Sequence, residues 1–487
     1  MQRYMTAPTN CFSLRSATRS LLGAAALLAL AGCESPTEIL EVQDPDIINP
    51  SDIQSAAGAN AVRLGALTRL NAATSGLTGT TTNLGNAGTE TLLMLGGLFA
   101  DEWNNGDTFI DRHQVDQRSM ALPAHNTFLT TANRALHRAR LGAEQAIDLL
   151  AQHAPTAPAW QVAEMHFVQA YVVNLMAEHY CNGLAFSTVE NGVEQYGTPM
   201  TTQAAFQRAL GHADAGLALV TGSTADDQRV RNALQVTRGR ILLNLDRASD
   251  AALAVAAVPT SSRYRMFHSQ TSRDNVFWTF NNSARRYSVS TGEGGNGLDF
   301  ATAGDPRVPT CQGGDATCRA IGVTQTRRDD NTSGPLYIQR LWPARDSSVA
   351  LVSGVEARLI EAEAQLAADP TGASTLITLN ALRAPTGTGS GGVAGLAPLA
   401  DAGSPAAREN QLFRERAFWL FGRGHRVGDL RRLIRDYGRA PATVFPTGAW
   451  HKGGSYGTDV NLPIPEAERN NPNMPQGSAP LCTDRNP

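Results

Sequence analysis

The sequence predicts a mainly α protein in which paired amphipathic helices support an irregular region of loops and short strands. Two patterns carry that prediction. Apolar residues recur at three- and four-residue steps over most of the chain, the spacing of one helix face. Between about residues 260 and 345 that spacing gives way to aromatics, Gly and Pro.

The N-terminus reads as a leader. Arg3, Arg15 and Arg19 form a basic start, and an apolar run from Leu21 to Leu30 follows, too short to span a bilayer. It ends in Leu30-Ala31-Gly32-Cys33, which resembles the lipobox of bacterial lipoproteins. Residues 1–32 are therefore expected to be a signal peptide, and Cys33 the acylated, palmitate-bearing first residue of a mature domain over 33–487. Each buried methylene of such an anchor contributes about 0.8 kcal/mol, so several acyl chains hold a water-soluble body durably. Beyond residue 33 no apolar run is long enough to cross a membrane.

Helices are predicted at 91–100, 126–150, 158–180, 202–219, 228–244 and 405–421. Met165, Val168, Val172, Leu175, Met176 and His179 mark one stripe, and Val352, Val355, Leu359, Ala362 and Leu366 mark another. Short polar connections between neighbouring helices suggest stacked pairs of the tetratricopeptide kind, although no clean 34-residue sequence repeat accompanies them. Residues 75–90 and 386–404, rich in Gly, Thr, Ser and Ala, read as surface loops. Within the irregular insertion, Val276 to Phe280 and Leu336 to Ile338 look like strands.

The chain is 42% hydrophobic and 17% charged with a net charge of −3, which gives no electrostatic basis for nucleic-acid binding. Six cysteines are present. With Cys11 in the leader and Cys33 acylated, Cys181, Cys311, Cys318 and Cys482 remain, an even number suited to disulfides in an oxidising compartment. The Gly-rich stretch from Cys311 to Cys318 can close on itself, which leaves Cys181 for Cys482. A zinc site is the weaker alternative, because no histidine or C-x-x-C partner stands nearby.

Several segments together resemble the SusD/RagB family of nutrient-binding outer-membrane lipoproteins. Asp101-Glu102-Trp103 follows an apolar helix, and Ala163 to Tyr171 is similar to the family's alanine- and aromatic-rich helix. Tyr196-Gly197-Thr198-Pro199, Asp305-Pro306-Arg307 and Arg358 to Ala364 match further family segments. The most specific stretch is Glu415-Arg416 with Gly424-His425-Arg426-Val427-Gly428-Asp429-Leu430-Arg431-Arg432, closed by Leu462-Pro463-Ile464-Pro465 and Asn471-Pro472-Asn473. Trp419 and Arg423 depart from it, standing where acidic residues are usual. Arg426 and Asp429 share a helix face, which suits an ion pair near the surface, and the two prolines stiffen an extended segment able to lie across the helices. The resemblance implies a SusD-like fold and a lid over a SusC-like, TonB-dependent outer-membrane barrel, facing the cell exterior.

No catalytic constellation stands out, and no cofactor or metal site is expected. The G-x-G-x-x-G matches at Gly292 and Gly387 lead into loops and not into a helix N-terminus. Paired carboxylates such as Asp101-Glu102 carry no glycosidase geometry by adjacency alone. Binding is the expected role, with an oligosaccharide as ligand. A peptide or other nutrient, an envelope scaffold without small ligand, and a surface hydrolase are the alternatives. Sugar rings are recognised by flat aromatic faces with polar groups at their edges. Trp278, Phe280, Asn282, Arg286 and Tyr287 form the densest candidate set, strand alternation putting Trp278 and Phe280 on one face; Trp103 is a second candidate and Trp342 a third.

Overall fold

In the computed structural model, helices begin where short polar side chains satisfy the first free backbone amides. Residues 54–76, 90–120, 125–190, 193–331 and 334–487 are described. The leader, Cys33 and most of the 75–90 loop lie outside them.

Helix α1 (Ala56–Thr74) is capped by Ser55, α2 spans Leu92–Phe99 and α3 spans Ile110–Asp116. Asn126 caps α4 (Thr127–His153), and α5 (Ala159–His179) follows Pro158. Thr201 caps α6 (Thr202–Leu219), while Thr224 and Asp227 form a reciprocal capping box on α7 (Ala225–Asn244). After α8 (Ala248–Val255) come α9 (Ala316–Ala320), α10 (Gly354–Ala368) capped by Ser353, and α11 (Ala373–Arg383). Ser404 with Pro405 in the first turn starts α12 (Pro405–Trp419), and α13 (Arg426–Arg435) carries the C-terminal signature. Each such cap contributes about 1 kcal/mol, so the helix starts are written into the sequence locally.

Packing pairs α1 with α4, α5 with α6, α7 with α8 and α10 with α11, the tetratricopeptide-like arrangement. Helix α5 is surrounded by α4, α6 and α7 and is buried along nearly its whole length, more than a single stripe. Its polar residues Glu164, Gln169, Asn174 and Glu178 are consequently buried too. Helix α1 has a core face built largely from Ala59, Ala66, Leu70 and Ala73. Small residues contrast weakly with their polar neighbours, which is why its periodicity escaped the sequence reading.

The strands are short and pair antiparallel. They are β1 (Trp103–Asn105) with β5 (Tyr287–Val289), β2 (Thr188–Glu190) with β3 (Val193–Gln195), β4 (Arg263–Met266) with β8 (Val349–Ser353), and β6 (Thr310–Gln312) with β7 (Tyr337–Gln339). Tyr337 and Ile338 lie in β7 as their composition suggests. The segment at Val276–Phe280 does not form a strand. Asn275 Oδ1 accepts the amides of Phe277 and Trp278, and the chain turns into a π-helix over Trp278–Ser283. The Asn cap outweighs the β-propensity of the aromatics. Disulfides join Cys311 to Cys318, closing the β6 turn, and Cys181 to Cys482, tying the tail to the end of α5. Beside the second, Leu462 bridges Tyr180, so the Pro463–Pro465 segment does lie along the helical body.

The signature helix α13 packs inward against α2 and α5. The expected surface pair of Arg426 with Asp429 is therefore absent: both are buried and each has another partner. Arg426 forks onto Asp101 at 2.6 and 2.8 Å, while Asp429 receives Arg416 at 2.9 Å and Arg432 at 2.8 Å. Arg432 also grips Glu363 at 3.0 Å. Of the two departures, Trp419 packs into a satellite core with Leu359 and Leu420, and Arg423 donates to the Trp419 carbonyl at 3.2 Å.

Candidate functional site

The expected aromatic set is mostly interior. Trp103 and Tyr287 are fully buried, and Phe280 is nearly so. Trp103 meets Phe277, Tyr287 and Phe421 in one aromatic cluster, and Trp342 stacks on Phe277 at 4.3 Å. Asn282 is buried as well, its Oδ1 accepting from Gln339 at 3.1 Å. The helical turn at 278 rotates Phe277 and Phe280 inward together, where strand alternation would have separated them. These residues carry the packing of the insertion onto the helices and offer no face to a ligand. Trp278 and Arg286 stay half-buried, and Arg286 lies 5.5 Å above the ring of Phe109, itself 50% exposed.

Two carboxylates, Asp116 and Glu293, have ionisation tendencies pushed apart, the pattern of an acid/base pair. Burial raises Asp116 to about 6 despite the opposing charge of His451. Burial also acts on Glu293, but the nearby His451, with bonds from Asn104 and Tyr456, outweighs it and holds the carboxyl down at about 2. Both are buried and occupied from within: Trp450 Nε1 donates to Asp116 at 3.1 Å, and Asn104 and Tyr456 donate to Glu293 at 2.6 and 2.7 Å. As placed they brace the C-terminal loop.

An open groove lies elsewhere, between α1, the first turns of α5, α7 and β4, with a volume of about 500 Å³. Leu64, Leu67, Thr68 and Asn71 follow one another along one side of α1. Trp160 and Glu164, one turn apart on α5, form the floor, and Arg229 comes from α7. The β4 wall alternates: Tyr264 and Met266 are buried, while Arg263, Arg265 and, just beyond the strand, Phe267 face outward.

Glu164 holds the walls together. Its Oε2 accepts from Arg63 at 2.6 Å, and its Oε1 accepts from Arg229 at 2.6 Å and from the Tyr264 hydroxyl at 3.0 Å. Burial opposes ionisation of Arg229, but the Glu164 charge outweighs it and leaves the guanidinium more firmly protonated than usual. Arg63 and Arg229 lie 5.2 and 5.7 Å from the Trp160 ring, fixing its orientation by cation–π attraction. Asn71 Nδ2 donates to the Phe267 carbonyl at 2.7 Å, which anchors the backbone while the ring stands 74% exposed. Leu64, 49% exposed, faces the same opening.

The groove thus offers an exposed aromatic face, an aliphatic rim and several guanidinium groups in a volume typical of small-ligand sites. Two further clefts of about 400 Å³, one around Asn182, Asp246 and Asp484 and one around Asn60, His153 and Gln161, carry no exposed Phe, Tyr or Trp. Phe267 and Trp160 were not among the sequence candidates. The readable signal was Arg263-Tyr264-Arg265-Met266-Phe267, in which an aromatic continues the polar face of an alternating strand.

No family model and no curated protein matches the chain. Solved structures do. A SusD superfamily protein from Parabacteroides distasonis superposes with a TM-score of 0.62 at 14% identity, over 86% of this chain and 98% of that one. A SusD-like carbohydrate-binding protein from Bacteroides fragilis gives 0.61 at 16% identity, over 86% and 99%. Surface glycan-binding protein A from Bacteroides uniformis gives 0.60 at 14% identity, over 87% and 100%. The fold of this chain is that of the SusD/RagB family.

Proposed function

We propose that this chain is a cell-surface lipoprotein, anchored in the outer membrane through acylated Cys33, which captures an oligosaccharide and passes it to a SusC-like, TonB-dependent barrel. The observation that carries this reading is the fold, shared with a surface glycan-binding protein over that protein's whole length. The groove of Phe267, Trp160 and the surrounding arginines supplies a place for the ligand. Among the described residues no helix is long and apolar enough to cross a membrane. In this reading the protein binds and releases its ligand unchanged.

The test is calorimetry of the purified chain against oligosaccharides and peptides, with chromatography of the sugars afterwards. Saturable heat with an oligosaccharide recovered intact is the expected result. Shortened products would move the protein to the hydrolases, and heat with peptides alone would replace the sugar. A pull-down from native membranes that recovers no large barrel protein would remove the transporter from the account.

A further inference from the structure

Among the described residues, the groove carries charge that no carboxylate fully balances. Glu164 is shared by Arg63 and Arg229, with Asp226 as a further partner of Arg229. Arg263 and Arg265 on the facing strand form no ion pair among the described residues. Arg263 Nη1 donates to the carbonyls of Thr260 and Ser262 at 2.6 and 2.8 Å, and Arg265 Nη1 reaches the Ser348 hydroxyl at 3.3 Å. They lie two residues apart on the same strand face, about 7 Å by the rise of a β-strand. Burial lowers the proton affinity of Arg263, and the like charge of Arg265 lowers it further. Burial disfavours the charge on Arg423 nearby, and the same two cations add to that. In this chain, then, positive charge gathers at the lip of the groove beside its one strongly exposed ring.

Resting on the capture reading above, we infer that the groove selects acidic oligosaccharides, with a ligand carboxylate seated on Arg263 and Arg265 and a sugar ring against Phe267. A guanidinium presents a planar fork that matches a carboxylate, and such charge-assisted bonds are stronger than those to a neutral hydroxyl. A neutral sugar would leave the repulsion between the two cations in place; an anionic one relieves it. The Phe267 ring, held by its backbone bond to Asn71, gives the apolar face that an acidic peptide does not specifically require.

The test uses the full chain and paired oligosaccharides of gluco, galacto and manno configuration, each as the neutral sugar and as its C6-carboxylate twin, with an acidic peptide as a third arm. The expected result is that an acidic sugar binds about tenfold or more tightly than its neutral twin at low salt. That preference should shrink as ionic strength rises. Arg265→Gln, at an exposed position, should weaken the acidic sugar about tenfold more than it weakens the neutral twin. Phe267→Ala should weaken both. Equal affinity for the twins, a preference insensitive to salt and to Arg265→Gln, or tighter binding of the acidic peptide would overturn the inference. Neutral sugars binding alone would do so while leaving glycan capture standing, and silence with every sugar would remove both.

Discussion

Two groups of arginines in this molecule behave in opposite ways. Around α13, Arg416, Arg426 and Arg432 are buried and each faces a carboxylate from another part of the chain. At the groove, Arg263 and Arg265 look outward and meet no carboxylate among the described residues. A guanidinium removed from water needs partners within the protein, a carboxylate for the three around α13 and the carbonyls of Ala177 and Tyr180 for Arg431, whereas one at the surface leaves its charge available to a ligand. The conspicuous sequence motif therefore marks the scaffold, and the inconspicuous pair marks the candidate site.

Breaking the scaffold side should have the largest effect. Asp429→Ala leaves Arg416 and Arg432 with one buried partner fewer, and roughly 3–5 kcal/mol of destabilisation is expected. Chemical denaturation would show it as a lowered midpoint; an unchanged midpoint would mean that the network is not as dry as its burial indicates. Burial works against the Asp429 charge, but the two guanidiniums outweigh it and hold the carboxyl well below its ordinary value. Its contribution is therefore present above the ordinary Asp pKa of 3.8 and lost as pH falls below it. Replacing Cys181 and Cys482 by Ser should cost about 2–5 kcal/mol, since the bridge closes a very long loop. Equal melting temperatures for oxidised and reduced protein would contradict that.

A smaller effect, of opposite sign in pH, is expected at Glu102. Burial raises its carboxyl from 4.5 to about 8, with the Gly422 amide and the Arg426 charge opposing and Asp101 reinforcing. The folded state keeps the proton while the unfolded chain loses it, so this contribution is complete below pH 4.5 and is lost as pH rises through about 8. Glu102→Gln should flatten that part of the stability profile, by at most a few kcal/mol at about 1.4 kcal/mol per unit. A wild-type midpoint that does not fall between pH 5 and 8.5 would show that Glu102 ionises normally.

The helices were legible because their caps and their large apolar residues are local signals. Asn126, Thr201, Thr224 and Ser404 start helices at or near the expected positions. Helix α1 was not, since only Val62 and Leu70 among its buried residues are large and apolar. The candidate site was legible only in composition. Sequence pointed to aromatics in the insertion, but the densest group, from Phe277 to Tyr287, is dense because it is core. Whether Trp103 faces water or Phe277 depends on contacts between residues far apart in the chain, and no local pattern encodes it. Phe267 is exposed because Asn71 and the end of β4 hold its backbone at the rim, another contact across long sequence separation.

The central claim is that the groove, and not the aromatic surface of the insertion, receives the sugar. The most direct measurement is the affinity of one bound oligosaccharide for Phe267→Ala and, in parallel, for Trp278→Ala and Arg286→Ala. A loss of about tenfold or more in the first alone, with melting temperature unchanged, is the predicted result. Undiminished binding by Phe267→Ala, with loss in either of the others, would place the site on the insertion and contradict the account.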